Sequence, residues 1–171
     1  TIVTAVREGR RIYDDIRKFI RYALTGNTGE IWVVFLAPFL GMPVPLLPIH
    51  ILWVNLITDG LPGLALAEER AERDVMARPP RPPDESIFAR GLGIHVLWVG
   101  AVIAALTLGT QAWALSEDTR EWQSMVFSVL VFCQLVHSMA IRSERRSLFS
   151  IGLFTNPALV GAIAVSVVLQ L

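Results

Sequence analysis

Two short stretches set oxygen-bearing side chains inside otherwise apolar sequence. In "LWVNLITDGLPGLAL", Asn55, Thr58 and Asp59 occupy positions i, i+3 and i+4, which a helix gathers on one face. In "GNTGE", Asn27 and Glu30 stand three residues apart and project about 60° apart around a helix axis. Gly60 and Pro62 weaken the helix just beyond Asp59. Proline lacks an amide donor and blocks the carbonyl four residues back, here Thr58, which predicts a backbone oxygen released for another use. Carboxylate, amide, hydroxyl and carbonyl oxygens along a loosened helix are what a dehydrated hard cation requires. Asn27 or Thr58 alone reads more simply as an interhelical hydrogen bond. With two carboxylates, their amide and hydroxyl neighbours and a helix break, the cation site becomes the better reading.

The elements that must position these groups are long apolar segments. Of the 171 residues 53% are hydrophobic, and the mean hydropathy is +0.53. With charges as punctuation, five segments of membrane length emerge at about residues 19–40, 48–67, 91–115, 125–141 and 151–171. The expected fold class is all-α, a polytopic transmembrane helical bundle; a soluble bundle with buried helices is the weaker alternative. An ionisable group at membrane depth costs about 2.5–3.5 kcal/mol even on lenient insertion scales, so Glu30 should face a partner or a wet cavity rather than lipid.

Formal net charge is zero, but the charges sort by side. If the five segments alternate, one side receives every arginine outside them except Arg120, and the positive-inside rule makes that side cytoplasmic. The N-terminus and the loops at 68–90 and 142–150 are thereby predicted to be cytoplasmic. "TIVTAVREGRRIYDDIRKFIR" spaces Ile2, Val6, Ile12, Ile16, Phe19 and Ile20 as an amphipathic helix; a stalk continuous with the first span and an interfacial helix fit that spacing equally. The short "GMPVPLLP" joins the first two spans as a tight hairpin, and "AEERAERDVMARPPRPPDES" reads as a solvated linker with an extended stretch. Trp113 and Trp122 flank an acidic outer loop at headgroup level.

Cys133 and His137 share a face of the fourth span, but two ligands are too few for a soft-metal site, and a hydrogen-bonded packing role is the simpler reading. His50 and His95 fall near span ends, where interfacial placement is the default. No secretory signal peptide is expected, since the first apolar segment follows two turns of charged helix without a small-residue cleavage site.

At the oxygen-bearing residues the sequence resembles the membrane domain of type II P-type cation pumps, especially the calcium-transporting ATPases. "GRRIYDDIRKFIRYALTGNTGE" looks like their fifth transmembrane helix with its stalk, "LWVNLITDGLPGLAL" like their sixth, and "RDVMARPPRPPDE" like the loop that follows. The likeness extends over essentially the whole chain, as the fifth to ninth spans. It implies Asn27 and Glu30 as ligands from one helix and Asn55, Thr58 and Asp59 from the next, with Asp59 central. It also implies Ca2+ as the transported ion, proton countertransport, and ATP and Mg2+ bound elsewhere in the parent enzyme. The asparagine at 55 favours calcium over sodium. Where two-site calcium pumps have a glutamate in the eighth helix this chain has Gln134, a further contributor of neutral oxygen, which favours one calcium per cycle.

The chain carries no "DKTGT" phosphorylation motif and no nucleotide-binding or actuator domain. It is expected to be a fragment, inactive alone, whose partners are the lipid bilayer and the missing spans and cytoplasmic domains of the same polypeptide. Nothing points to nucleic acid. The excess of arginine over lysine hints at a bacterial source, hence an inner membrane. The rivals are a pump for sodium, manganese or protons, and a non-enzymatic scaffold or channel whose polar groups only hold helices together.

Overall fold

The computed structural model describes residues 1–171 except 70, 73, 83, 144–149, 151, 153 and 171. Its described elements are all helical: α1 (Ile2–Phe39), α2 (Pro48–Ala67), α3 (Leu92–Ser116), α4 (Trp122–Ala140) and α5 (Pro157–Gln170). By length and composition α2, α3 and α4 can cross a bilayer. At 14 residues α5 rises only about 21 Å, less than a hydrocarbon core. The segment read as a span at 151–171 is thus helical over less than its length, and positions 151, 153 and 171 lie outside the described residues.

The 38-residue α1 is unbroken, so the amphipathic N-terminal stretch is a stalk continuous with the first apolar segment, and the interfacial alternative falls away. Charged residues along its first half and Asn27 and Glu30 in its second keep α1 out of the class of plainly apolar spans.

Large apolar side chains point outward along the bundle: Ile94 is 76% exposed, Trp98 70% and Val136 69%. A surface this apolar is stable only against lipid or further protein. Inside, Val33 and Ala37 of α1, Ile103, Ala104 and Leu108 of α3 and Leu130 of α4 form one core. Tyr22, Ala65, Leu66, Ile141 and Leu159 form a second, toward the stalk end.

A close seam joins α1 to α3, where Gly29 and Gly100 let the backbones approach. A Cβ on Gly100 would meet Thr28 Cγ2 at 2.8 Å, and one on Gly29 would meet Ile103 Cγ2 at 3.0 Å. Gly100→Val should therefore cost about 1–3 kcal/mol by overpacking. The check is thermal unfolding of the solubilised full-length protein, with Gly93→Val, which meets nothing within 4 Å, as the control expected to fall less.

The connection after α2 is not the solvated linker its composition predicts. Arg10 of the stalk donates to Val75 O at 2.9 Å and to Arg78 O at 2.8 Å, and Arg17 to Ala89 O at 3.1 Å. Arg78 and Arg81 each pair with Asp14 at 2.8 Å, Arg78 also pairs with Glu72 and Asp74, and the Arg81 guanidinium lies 4.0 Å over the Tyr13 ring. The loop's arginines find opposite charge on the stalk and the loop's carbonyls accept from stalk arginines, so this docking displaces solvation. Arg17 and Lys18 are consequently buried, at 1% and 3% exposure. Burial lifts the Asp15 carboxyl above its ordinary range even though Lys18 and Arg11 pull the other way.

Candidate functional site

The site is built where α1, α2 and α4 meet. Between Trp53 and Asp59 the second helix opens into a π-helical turn, Val54–Thr58, closed by a 2.8 Å bond from Asp59 N to Val54 O. The break foreseen from Gly60 and Pro62 is thus a widened turn rather than an unwound segment, as single π turns at functional positions usually are.

That turn sends the three polar residues of α2 in two directions. Thr58 and Asp59 are buried, at 0% and 7% exposure. Asn55 is exposed, with its Nδ2 donating to Ile51 O at 2.8 Å. The single face expected for all three is therefore corrected: wider winding moves Asn55 away from the positions one turn later. Asn55 instead lines an open groove between α1 and α2, whose polar lining comes from Asn27, Glu30 and Asn55.

Glu30 is 5% exposed and accepts a 2.9 Å hydrogen bond from Gln134 Nε2 on α4. Asp59 lies close enough to interact electrostatically with Glu30. Gly26 makes the convergence possible: a Cβ there would lie 3.3 Å from Gln134 Nε2 and 3.4 Å from Asp59 Oδ1. The two carboxylates, Thr58 and Gln134 therefore occupy one interior cluster. Asn27, half-buried, and Asn55 stand on its groove side. Among the described residues, three buried oxygens, Thr58 Oγ1, Asp59 Oδ1 and Gln134 Oε1, find no protein partner. Buried polar atoms of native proteins are nearly always satisfied, so this set is a ready-made group of acceptors.

The Thr58 carbonyl behaves differently from expectation. Pro62 does release it from helical bonding, but the hydroxyl of Tyr22, itself wholly buried, donates to it at 2.5 Å. It is therefore engaged by α1 rather than left for an ion. Sequence reasoning missed Tyr22 because nothing local marks its partner 36 residues away. Its place between the charged stalk and the "GNTGE" segment was the available signal.

The histidines are tied to side chains on neighbouring helices. His95 and His137 join α3 to α4 through a 3.1 Å contact between their Nε2 atoms. Tyr22 lies beside His137, with ring centroids 6.2 Å apart. His137 thus has a hydrogen-bonded packing role, with His95 rather than Cys133 as its partner. His50 stacks on Phe127 at 4.6 Å and accepts from Leu47 N. Among the described residues no three His, Cys, Asp or Glu side chains cluster as a metal site. A cation between Glu30 and Asp59 would need neutral oxygens to complete its shell.

Comparison with known proteins matches residues 43–171 to the family described as "Cation transporting ATPase, C-terminus". The chain is 47% identical over 176 residues to the "Calcium-transporting ATPase" of Bacillus subtilis (strain 168), covering 100% of this chain and 19% of that protein. It is 44% identical over 188 residues to "Calcium-transporting ATPase 1" of Bacillus cereus (strain ATCC 10987 / NRS 248), covering 99% of this chain and 21% of that protein. The chain spans about a fifth of the length of these curated relatives. A helical membrane bundle with acidic groups turned inward, matched over three quarters of its length, belongs to the C-terminal membrane domain family of the cation-transporting ATPases.

Proposed function

We propose that this chain is the ion-binding membrane part of an ATP-driven pump that exports Ca2+ from the cytoplasm, one ion per cycle. The observation that carries the reading is the burial of Glu30 and Asp59 in one cluster, with unpartnered oxygens of Thr58 and Gln134 beside them. Two anionic charges among neutral oxygens suit a doubly charged hard cation. Asn27 and Asn55 on the groove side supply further oxygens. Calcium needs six to eight, more than these residues provide, so other parts of the same polypeptide complete the shell. Gln134 already engages Glu30, which favours one site over two. Relatives named calcium-transporting ATPases favour calcium over sodium or manganese.

The docked loop at 68–90 and the unbroken stalk form one mechanical path from α1 residues 10–17 to Glu30. Domains that bind ATP and Mg2+ and form an aspartyl-phosphate drive that path, and the arginine-rich end faces the cytoplasm of a bacterial inner membrane. The test is phosphoenzyme formation from labelled ATP by the full-length protein with calcium, manganese or sodium as the sole candidate ion. Calcium at micromolar concentration should support it. Equal support by sodium, or ion-independent labelling, would overturn the assignment.

A further inference from the structure

The site described above uses neither His95 nor His137, yet their geometry is specific. The Nε2 atoms lie 3.1 Å apart and the ring centroids 5.4 Å apart, about what that contact plus two ring radii gives when imidazoles meet head to head. One proton fits between them, on either nitrogen. His95 is half-buried in the first turn of α3, toward the stalk end. His137 is 7% exposed, and its other nitrogen, Nδ1, is buried without a protein partner among the described residues.

One helical turn before His137 stands Gln134, whose Oε1 is likewise unpartnered among the described residues, and Asp59 Oδ1, also unpartnered, approaches Gly26 alongside the Gln134 amide. A run of buried, unsatisfied polar atoms is where proteins hold internal water. The groups facing the pair are Arg21 and Tyr22 of α1, in addition to the two imidazoles themselves. Arg21 acts electrostatically on both rings. Its repulsion of a lingering imidazolium favours passage of a proton over storage.

We propose that His95 and His137 form a proton relay between the polar interior beside Gln134 and the solvent at the stalk end. A proton arriving on His137 Nδ1 lets the Nε2 proton cross to His95 Nε2, and the Nδ1 proton of His95 departs to solvent. One proton enters and one leaves; each ring ends in its other tautomer and returns by giving one proton to water and taking one back on its other nitrogen while the Nε2 contact is open, with no net proton moved. The relay rests on the reading of the chain as part of a calcium pump, for which it supplies the countertransport route.

The test uses the full-length protein in proteoliposomes, with calcium uptake and internal pH followed together. His95→Ala should slow proton counterflow and calcium uptake about a hundredfold, the low end of what a positioned acid–base group contributes. Calcium-dependent phosphoenzyme formation should stay within about twofold, since the ion cluster is untouched. Added imidazole, which can carry a proton through both nitrogens, should restore the flux. N-methylimidazole, which binds a proton at one nitrogen but cannot release one through the other, should not. His137→Gln, which keeps a hydrogen-bonding group, should slow the flux equally without rescue. Unchanged counterflow in His95→Ala, or equal rescue by both compounds, overturns the relay and leaves a structural hydrogen bond. Wild-type calcium transport without proton counterflow overturns the relay alone. Absence of calcium-dependent phosphoenzyme in the wild type overturns the pump reading, and the relay with it.

Discussion

Asp59→Asn in the full-length protein is expected to raise the calcium concentration needed for phosphoenzyme formation at least about 100-fold, or about 2.8 kcal/mol of binding. The residue is buried, one of its oxygens has no protein partner, and Glu30 is its electrostatic neighbour. In a site built from two carboxylates and neutral oxygens, removing one charge halves the attraction for a divalent ion, and affinity in oxygen sites follows ligand charge. The same change should leave thermal stability unchanged or raised, because an isosteric amide relieves a buried charge that lacks a hydrogen bond at Oδ1. Binding and stability thus move in opposite directions. A structural role for Asp59, as in the scaffold alternative, predicts that stability falls and that no ion dependence is lost. Titrating calcium against phosphoenzyme level and melting temperature in one preparation separates the two.

What the sequence discloses about this site is mostly what one helix can disclose. Glu30 and Asp59 stand out because carboxylates in apolar runs are costly, and Pro62 because its effect on Thr58 is fixed by helical hydrogen bonding. Both inferences need only neighbours within four residues. The π turn was not legible, since the i, i+3, i+4 reading of Asn55, Thr58 and Asp59 assumes α-helical winding. The partners were not legible either. Gln134 reaches Glu30 across 104 residues and Tyr22 reaches Thr58 across 36, and no local pattern encodes a pairing between helices. The loop at 68–90 failed for a related reason. Its charge composition describes affinity for water equally well as affinity for the oppositely charged stalk, and only the fold brings Asp14 under Arg78 and Arg81.

Arg142→Ala should produce the largest loss of stability, about 3–5 kcal/mol, the range for breaking a buried ion pair from one side. By sequence Arg142 was only one more positive charge at a loop. In the fold it is 2% exposed and donates Nε and Nη2 to Glu69 at 2.9 and 3.0 Å, Nη1 to Gly152 O at 2.8 Å and Nη2 to Thr155 Oγ1 at 2.7 Å. Asn156 completes the clasp, giving hydrogen bonds to Ala65 O at 3.1 Å and Glu69 Oε2 at 2.9 Å and accepting one from Leu159 N at 3.0 Å. These bonds tie the end of α2 and the two residues after it, six to ten residues beyond Asp59, to the end of α4 and the start of α5. Without Arg142 the Glu69 carboxylate keeps, among the described residues, only the Asn156 amide as a hydrogen-bond donor, with Lys18 as its remaining positive neighbour. Converting both Arg142 and Glu69 to leucine should recover most of the loss, because no unpaired charge then remains. Acid should mimic the single substitution. Burial pushes the Glu69 carboxyl up, but the hydrogen bonds from Arg142 and Asn156 and the nearby positive charges outweigh it and hold it below its ordinary value. A carboxyl depressed by folding stabilises fully above its unfolded pKa, about 4.3, and that contribution disappears as pH falls through the lower folded value. The melting temperature of the solubilised wild type should therefore drop more steeply below about pH 4 than that of the double leucine variant. Parallel acid curves for the two proteins would mean that the clasp contributes nothing through its charge.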